Sequence, residues 1–234
     1  MQNTTLERTF VLPANVEMIE VAHVFTGNAG NNWIIGTGYR GTLRGMGGID
    51  VIRAGNGGYS VEGGDGSDDL TGDKGRDTML GGTGNDTIAA GSGNDSLDGG
   101  AGADRLLGES GSDTLKGGAG ADRLTGGGGN DVFVFAAAGD SIPTATDTIT
   151  DFAGAGVAAG DRINLSALDA NTVLAGNQTF IRGGTGNGHL RAIEEGNRTV
   201  LLGNTDADAA AELRIVIEDG SVRATAYTAA DFVL

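Results

Sequence analysis

The feature that most constrains this chain is a repeat of nine. From Gly63 the sequence runs GGDGSDDLT, GDKGRDTML, GGTGNDTIA, AGSGNDSLD, GGAGADRLL, GESGSDTLK, GGAGADRLT and GGGGNDVFV, without a gap to Val134. The fourth place is always Gly and the sixth always Asp. The eighth is always apolar: Leu70, Met79, Ile88, Leu97, Leu106, Leu115, Leu124 and Phe133. Stepping back by nine gives Ile34, Leu43, Ile52 and Val61, and stepping forward gives Ile142. Such a period marks a stacked, quasi-one-dimensional fold. It also excludes a flexible Gly/Asp linker, which has no reason to keep an apolar residue at every ninth place.

The pattern has a local physical meaning. A three-residue strand such as Thr87-Ile88-Ala89 alternates its side chains, so only the middle one points inward. The intervening turn must curl tightly, and Gly reaches positive φ without steric cost. A tight Gly turn brings carbonyl oxygens close to the Asp carboxylate. Calcium takes six to eight oxygens in flexible geometry.

Composition agrees. Residues 27–134 hold 33 of the 45 Gly in 234 residues. Asp and Glu number 31 against 15 Lys and Arg, a formal net charge of −16. That balance argues against nucleic acid and anionic membrane as partners and for cations. With 0 Cys and 2 His there is no disulfide, no thiolate cluster and little for zinc. No stretch approaches a membrane-spanning length, and MQNTTLERTF lacks the basic and apolar regions of a signal peptide.

The repeat resembles the RTX (hemolysin-type) calcium-binding nonapeptide GGxGxDxUx. The resemblance implies an all-β fold, a right-handed parallel β-roll, in which two nonapeptides make one coil. Turns 18 residues apart then stack. One edge carries Asp50, Asp68, Asp86, Asp104, Asp122 and Asp140, and the other Asp77, Asp95, Asp113 and Asp131. Successive pairs set the expected load at about six to eight Ca²⁺. By the same resemblance each ion takes two carbonyls and an Asp from each of two stacked turns. The carbonyl candidates are Gly64 and Gly66, then Gly75, then Gly81, Gly82, Thr83 and Gly84. They continue with Ala90, Gly91, Ser92 and Gly93, then Gly99, Gly100, Ala101 and Gly102, then Gly108, Ser110 and Gly111. Gly117, Gly118, Ala119 and Gly120, and Gly126, Gly127, Gly128 and Gly129, complete the set. Asp73 and Glu109 replace the second Gly of their turns and are expected to strain them.

The flanks divide the chain. Residues 1–26 are expected to form capping strands for the roll at 27–143, whose calcium-binding part is about 50–143. His23 is read there as a packed or surface residue. The runs TFIR, HLRAI, RTVLLG, ELRIVIE and SVRATAY read as antiparallel strands. DTITDF, DRINLSALDA and the ending TAADFVL resemble the C-terminal domain of serralysin-type metalloproteases. That implies an antiparallel β-sandwich-like domain over 144–234, with a C-terminal type I secretion signal. It also implies that Asp147 closes the last calcium site beyond Asp131. Asp151 is a weaker ligand candidate, equally readable as a cap.

No H-E-x-x-H, G-x-S-x-G or P-loop occurs. Arg40, Tyr39 and Tyr59 are expected as surface residues of divergent repeats rather than a saccharide contact. The first functional reading is therefore a non-catalytic, secreted, extracellular calcium-binding protein that folds on Ca²⁺ after passing a type I exporter, with room for a cell-surface partner. A second is the C-terminal part of a larger secreted metalloprotease, lipase or epimerase. A third is an enzyme using a groove on the sandwich.

Overall fold

In the computed structural model, residues 20–21, 24–37, 40–137, 139–154, 160–168, 181–182, 189–204, 212–218 and 224–234 are described. They form two sheets with a shared core. One sheet runs, in spatial order, through Glu20–Val21, Trp33–Gly36, Val51–Arg53, Asp69–Thr71, Thr87–Ala89, Arg105–Leu107, Arg123–Thr125 and Asp147–Ile149, all parallel. The other runs through Val24–Thr26, Arg40–Gly47, Gly58–Asp65, Thr78–Thr83, Ser96–Ala101, Thr114–Ala119, Val132–Val134, Arg162–Asn164 and Phe232–Val233, again parallel. The chain alternates between sheets, so each full coil takes two nonapeptides. Leu70 therefore registers with Ile88, and Leu97 with Leu115. This is the parallel β-roll that the repeat implies.

The core follows from the eighth place of each repeat. Leu70, Ile88, Leu106, Leu115, Leu124 and Phe133 are fully buried, while their strand neighbours Asp69, Thr87, Arg105 and Arg123 are exposed. One inward side chain per strand makes a thin core, so backbone register carries much of the specification.

The glycines act at the turns. Gly102 has φ +146, and a Cβ built there would overlap the carbonyl oxygen of Gly84 in the preceding coil. Backbone stacks on backbone at that point, and no side chain fits. Glu109 sits at φ 70 where most repeats have Gly, and left-handed backbone costs an L-residue about 1–2 kcal/mol. Asp73 does not share that conformation; among the described non-Gly residues only Met46, at φ 90, joins Glu109. Glu109→Gly should raise the stability of the calcium-loaded protein by about 0.5–1 kcal/mol, after subtracting the entropy that Gly gives the unfolded chain. Denaturant titration checks it, and an unchanged midpoint would show that the turn already accommodates Glu.

The nine-residue step ends at Val134. Ile142 does not continue the core; it is half-buried and exchanges hydrogen bonds of 3.0 Å with Ala145 in a local bridge. Its rung is filled by Ile149, in register with Leu124, and the next by Ile163, in register with Phe133. The next strands begin only at Asp147 and Arg162, so these two coils are longer than 18 residues.

The antiparallel part is present. Leu213–Ile217 joins Asp147–Ile149 in parallel, then pairs antiparallel with Arg198–Asn204, which pairs antiparallel with His189–Glu195. Ile181–Arg182 adds in parallel. In the run SVRATAY, Ala224–Ala226 is a 3₁₀ turn rather than a strand. Phe232–Val233 is a final strand beside Arg162–Asn164, and Thr228 caps the short turn before it. Phe133, Phe152, Tyr227 and Phe232 stack in series at centroid separations of 6.2, 5.5 and 6.5 Å, closing that end of the core. His23, Tyr39 and all of 1–19 lie outside the described residues.

Candidate metal centre

Each repeat Asp is placed by the residue two beyond it, whose burial fixes the turn. Its Oδ1 accepts the N–H of the residue one coil earlier. Asp50 to Asp68, Asp68 to Asp86, Asp86 to Asp104 and Asp104 to Asp122 are linked this way at 2.7–2.8 Å. Asp77 to Asp95, Asp95 to Asp113 and Asp113 to Asp131 form the second ladder, also at 2.7–2.8 Å.

The other oxygen is the informative one. In Asp50, Asp68, Asp77, Asp86, Asp95, Asp104, Asp113, Asp122, Asp131 and Asp147, Oδ2 is buried and has no hydrogen-bond partner. Orphaned buried carboxylate oxygens are expensive. They do not point at random. A Cβ built on Gly81 would meet both Asp86 Oδ2 and the carbonyl of Gly99; on Gly99, both Asp104 Oδ2 and the carbonyl of Gly117. A Cβ built on Gly100 or Gly102 would strike the carbonyl of Gly82 or Gly84 between the same two turns. Each interval between stacked turns thus holds carboxylate and carbonyl oxygen and nothing softer. That donor set fits a hard cation of flexible coordination, calcium above others. Among the described residues no group of three His, Asp or Glu side chains forms a metal cluster, so an ion in these intervals draws on the main chain.

Past the perfect repeats the ladders take a different course from the 18-residue step. Above Asp122 stands Asp147, whose Oδ1 accepts the Asp122 N–H at 2.9 Å. Asp140 is displaced: its Oδ2 caps the loop by accepting from Ala136 and Ala137 at 2.7 and 2.9 Å. Above Asp131 stands Asp161, not Asp147, accepting the Asp131 N–H at 2.9 Å and the Ala153 N–H at 2.8 Å. Asp161 is absent from the sequence-derived site, although Asp161-Arg162-Ile163 keeps the Asp-x-apolar spacing of a repeat. Asp151 accepts from Gly126 and Gly127 at 2.9 and 2.7 Å, as a turn cap does. Tyr59 is buried rather than a surface residue, and its N–H starts the second ladder by donating to Asp77 Oδ1 at 2.6 Å.

Burial raises these carboxyls. It pushes Asp50, Asp77, Asp86, Asp104, Asp113, Asp122 and Asp161 up to about 6 from 3.8. It pushes Asp147 to about 9, with Asp122, Asp140 and Asp104 adding repulsion, and raises Asp68, Asp95 and Asp131 as well. A pKa raised by folding means that the metal-free roll binds more protons than the unfolded chain. That stability is full below pH 3.8 and is lost as pH rises through about 6. Metal-stripped protein should therefore show its strongest β circular dichroism near pH 4 and lose it towards pH 7, while calcium affinity rises over the same window as protons leave. A metal-free signal that grows with pH would contradict this assignment of the ladders.

Stacked parallel turns lined by orphaned carboxylate oxygens define a metal-binding repeat protein. The family described as the RTX calcium-binding nonapeptide repeat (4 copies) matches residues 35–58, 62–97, 80–115, 98–133 and 107–142, and the chain is an RTX-repeat protein. No curated protein sequence matches it. Among solved structures it is similar to the AlgE6R3 subunit of the Azotobacter vinelandii mannuronan C5-epimerase, at 32% identity over 64% of this chain and 78% of that chain, TM-score 0.48. The AlgE6R2 subunit of the same enzyme gives 27% identity over 70% and 88%, TM-score 0.45. The extracellular lipase LipA of Serratia marcescens gives 17% identity over 93% and 42%, TM-score 0.45.

Proposed function

We propose that this chain is a non-catalytic calcium-loaded module, secreted and folded by the ions that it meets outside the cell. The observation that carries the reading is the set of ten buried Oδ2 atoms without a partner. A carboxylate ladder of this kind is unfavourable as a bare protein and favourable once each interval holds a divalent cation. A cell interior with little free calcium would leave such a chain unfolded and exportable; calcium outside would close it. Passage through a type I exporter before calcium is met fits that order.

The intervals number five on the first ladder (Asp50/Asp68, Asp68/Asp86, Asp86/Asp104, Asp104/Asp122, Asp122/Asp147) and four on the second (Asp77/Asp95, Asp95/Asp113, Asp113/Asp131, Asp131/Asp161). Native mass spectrometry in calcium should show about nine tightly held ions by this count of two-carboxylate intervals. A saturated load of three or four would reject the assignment of an ion to every interval.

A further inference from the structure

We propose that the interval between turns 27–32 and 45–50 is an additional cation site, weaker than those of the Asp ladders because the amide oxygen of Asn32 stands where they have a carboxylate. The proposal rests on reading the ladders as calcium sites. Asn32 keeps the backbone contacts of a ladder residue, and its amide Nδ2 is buried without a partner. The residue is 4% exposed. Its N–H donates to Asp50 Oδ1 at 2.6 Å, and its carbonyl accepts from Val51 at 2.8 Å. A Cβ built on Gly27 would meet Asn32 Oδ1 and the carbonyl of Gly45. That is the same pair of oxygens that a Cβ on Gly45 meets in Asp50 Oδ2 and Gly63, and that one on Gly81 meets in Asp86 Oδ2 and Gly99.

The turns around it are stacked as elsewhere. A Cβ on Gly48 would strike the Gly30–Asn31 peptide, and Ile49 donates to Asn31 Oδ1 at 2.8 Å. Asn32 Oδ1 also accepts the Asn28 N–H at 2.8 Å, which leaves one lone pair for an ion. The second ladder begins differently. There the ring of Tyr59 fills the equivalent place, its Cε1 2.8 Å and its hydroxyl 3.0 Å from a Cβ on Gly36, so a phenol plugs the interval.

Among the described residues Asp50 is the single carboxylate bordering the Asn32 interval. Calcium affinity falls as charged ligands are lost, so this site fills last, at free calcium on the order of tenfold or more above the main transition. The first coil then responds to a concentration range that the rest of the roll has already passed.

Trp33 is the sole Trp, adjoins Asn32 and is 47% exposed. The metal-stripped full chain is titrated with calcium chloride while circular dichroism, Trp33 emission and ion count by native mass spectrometry are followed. The expected result is a Trp33 step at higher calcium than the dichroism, accompanied by one late ion. Asn32→Asp should pull that step into the main transition without changing the final count, and Asn32→Leu should delete it. A Trp33 step coincident with the dichroism, or an ion gained by Asn32→Asp that the wild type never takes, overturns the proposal. A dichroism signal indifferent to calcium would instead overturn the reading of the ladders on which it rests.

Discussion

At pH 7 in excess chelator the chain is expected to lose the roll, and calcium is expected to restore it. The favourable side of the balance is small: one inward apolar residue per nine, with Leu70, Ile88, Leu106 and their equivalents as the core. Against it stand ten buried carboxylate oxygens without partners, spaced one coil apart along two lines. Repulsion and desolvation both fall on the folded state alone. Metal binding therefore supplies the folding free energy. Circular dichroism should gain β signal on titration with calcium. Magnesium should do little, because it demands tighter octahedral geometry and sheds water reluctantly. A full roll in chelator at neutral pH would show that packing suffices and that the ions are passengers.

Asp104→Ala should remove about two ions and weaken the cooperativity of the remainder, because stacked repeats depend on their neighbours. Asp104 borders two intervals, with Asp86 below and Asp122 above. Its loss also strands the buried Asp86 N–H, which loses its 2.8 Å acceptor. Asp77→Ala should remove about one ion, because Tyr59 rather than a carboxylate precedes it. Asp140→Ala is the contrast: its carboxylate caps the 136–137 backbone, so the variant should keep the full ion load and lose about 1 kcal/mol of stability. Native mass spectrometry and calcium titration of the three variants decide the matter. Equal ion losses from Asp104→Ala and Asp77→Ala would mean that the ladder rungs are not shared between intervals.

The roll between Gly27 and Val134 was legible because one residue type per place has one physical job. The apolar eighth place faces the core, the sixth place joins a ladder, and Gly102 shows why the fourth admits no side chain. Legibility failed where the chain inserted residues. The step from Asp122 to Asp147 is 25 residues and that from Asp131 to Asp161 is 30, so counting by 18 landed on Asp140 and Ile142. Both have local work in the loop instead. The three-residue signature survived the insertion in Asp147-Thr148-Ile149 and Asp161-Arg162-Ile163, and a search by pattern rather than by period would have found it. Tyr59 was misread for another reason: at the start of a ladder no carboxylate lies below, and an aromatic ring can fill the space.

The side-chain hydrogen bonds of the two ladders all lean one way, whereas the backbone bonds between coils run in both directions. At every described rung it is the later residue that offers the carboxylate and the earlier one that offers the N–H, from Asn32 and Asp50 to Asp131 and Asp161. The solenoid therefore has a grain, like overlapping roof tiles. Stripping coils from the front uncovers carboxylates that water and ions readily solvate. Stripping them from the rear uncovers N–H groups, first that of Asp131 and then that of Asp113, each exchanging a carboxylate acceptor for water. Fraying from the C-terminal side should therefore expose amide donors, and fraying from the N-terminal side carboxylates that a cation can still hold.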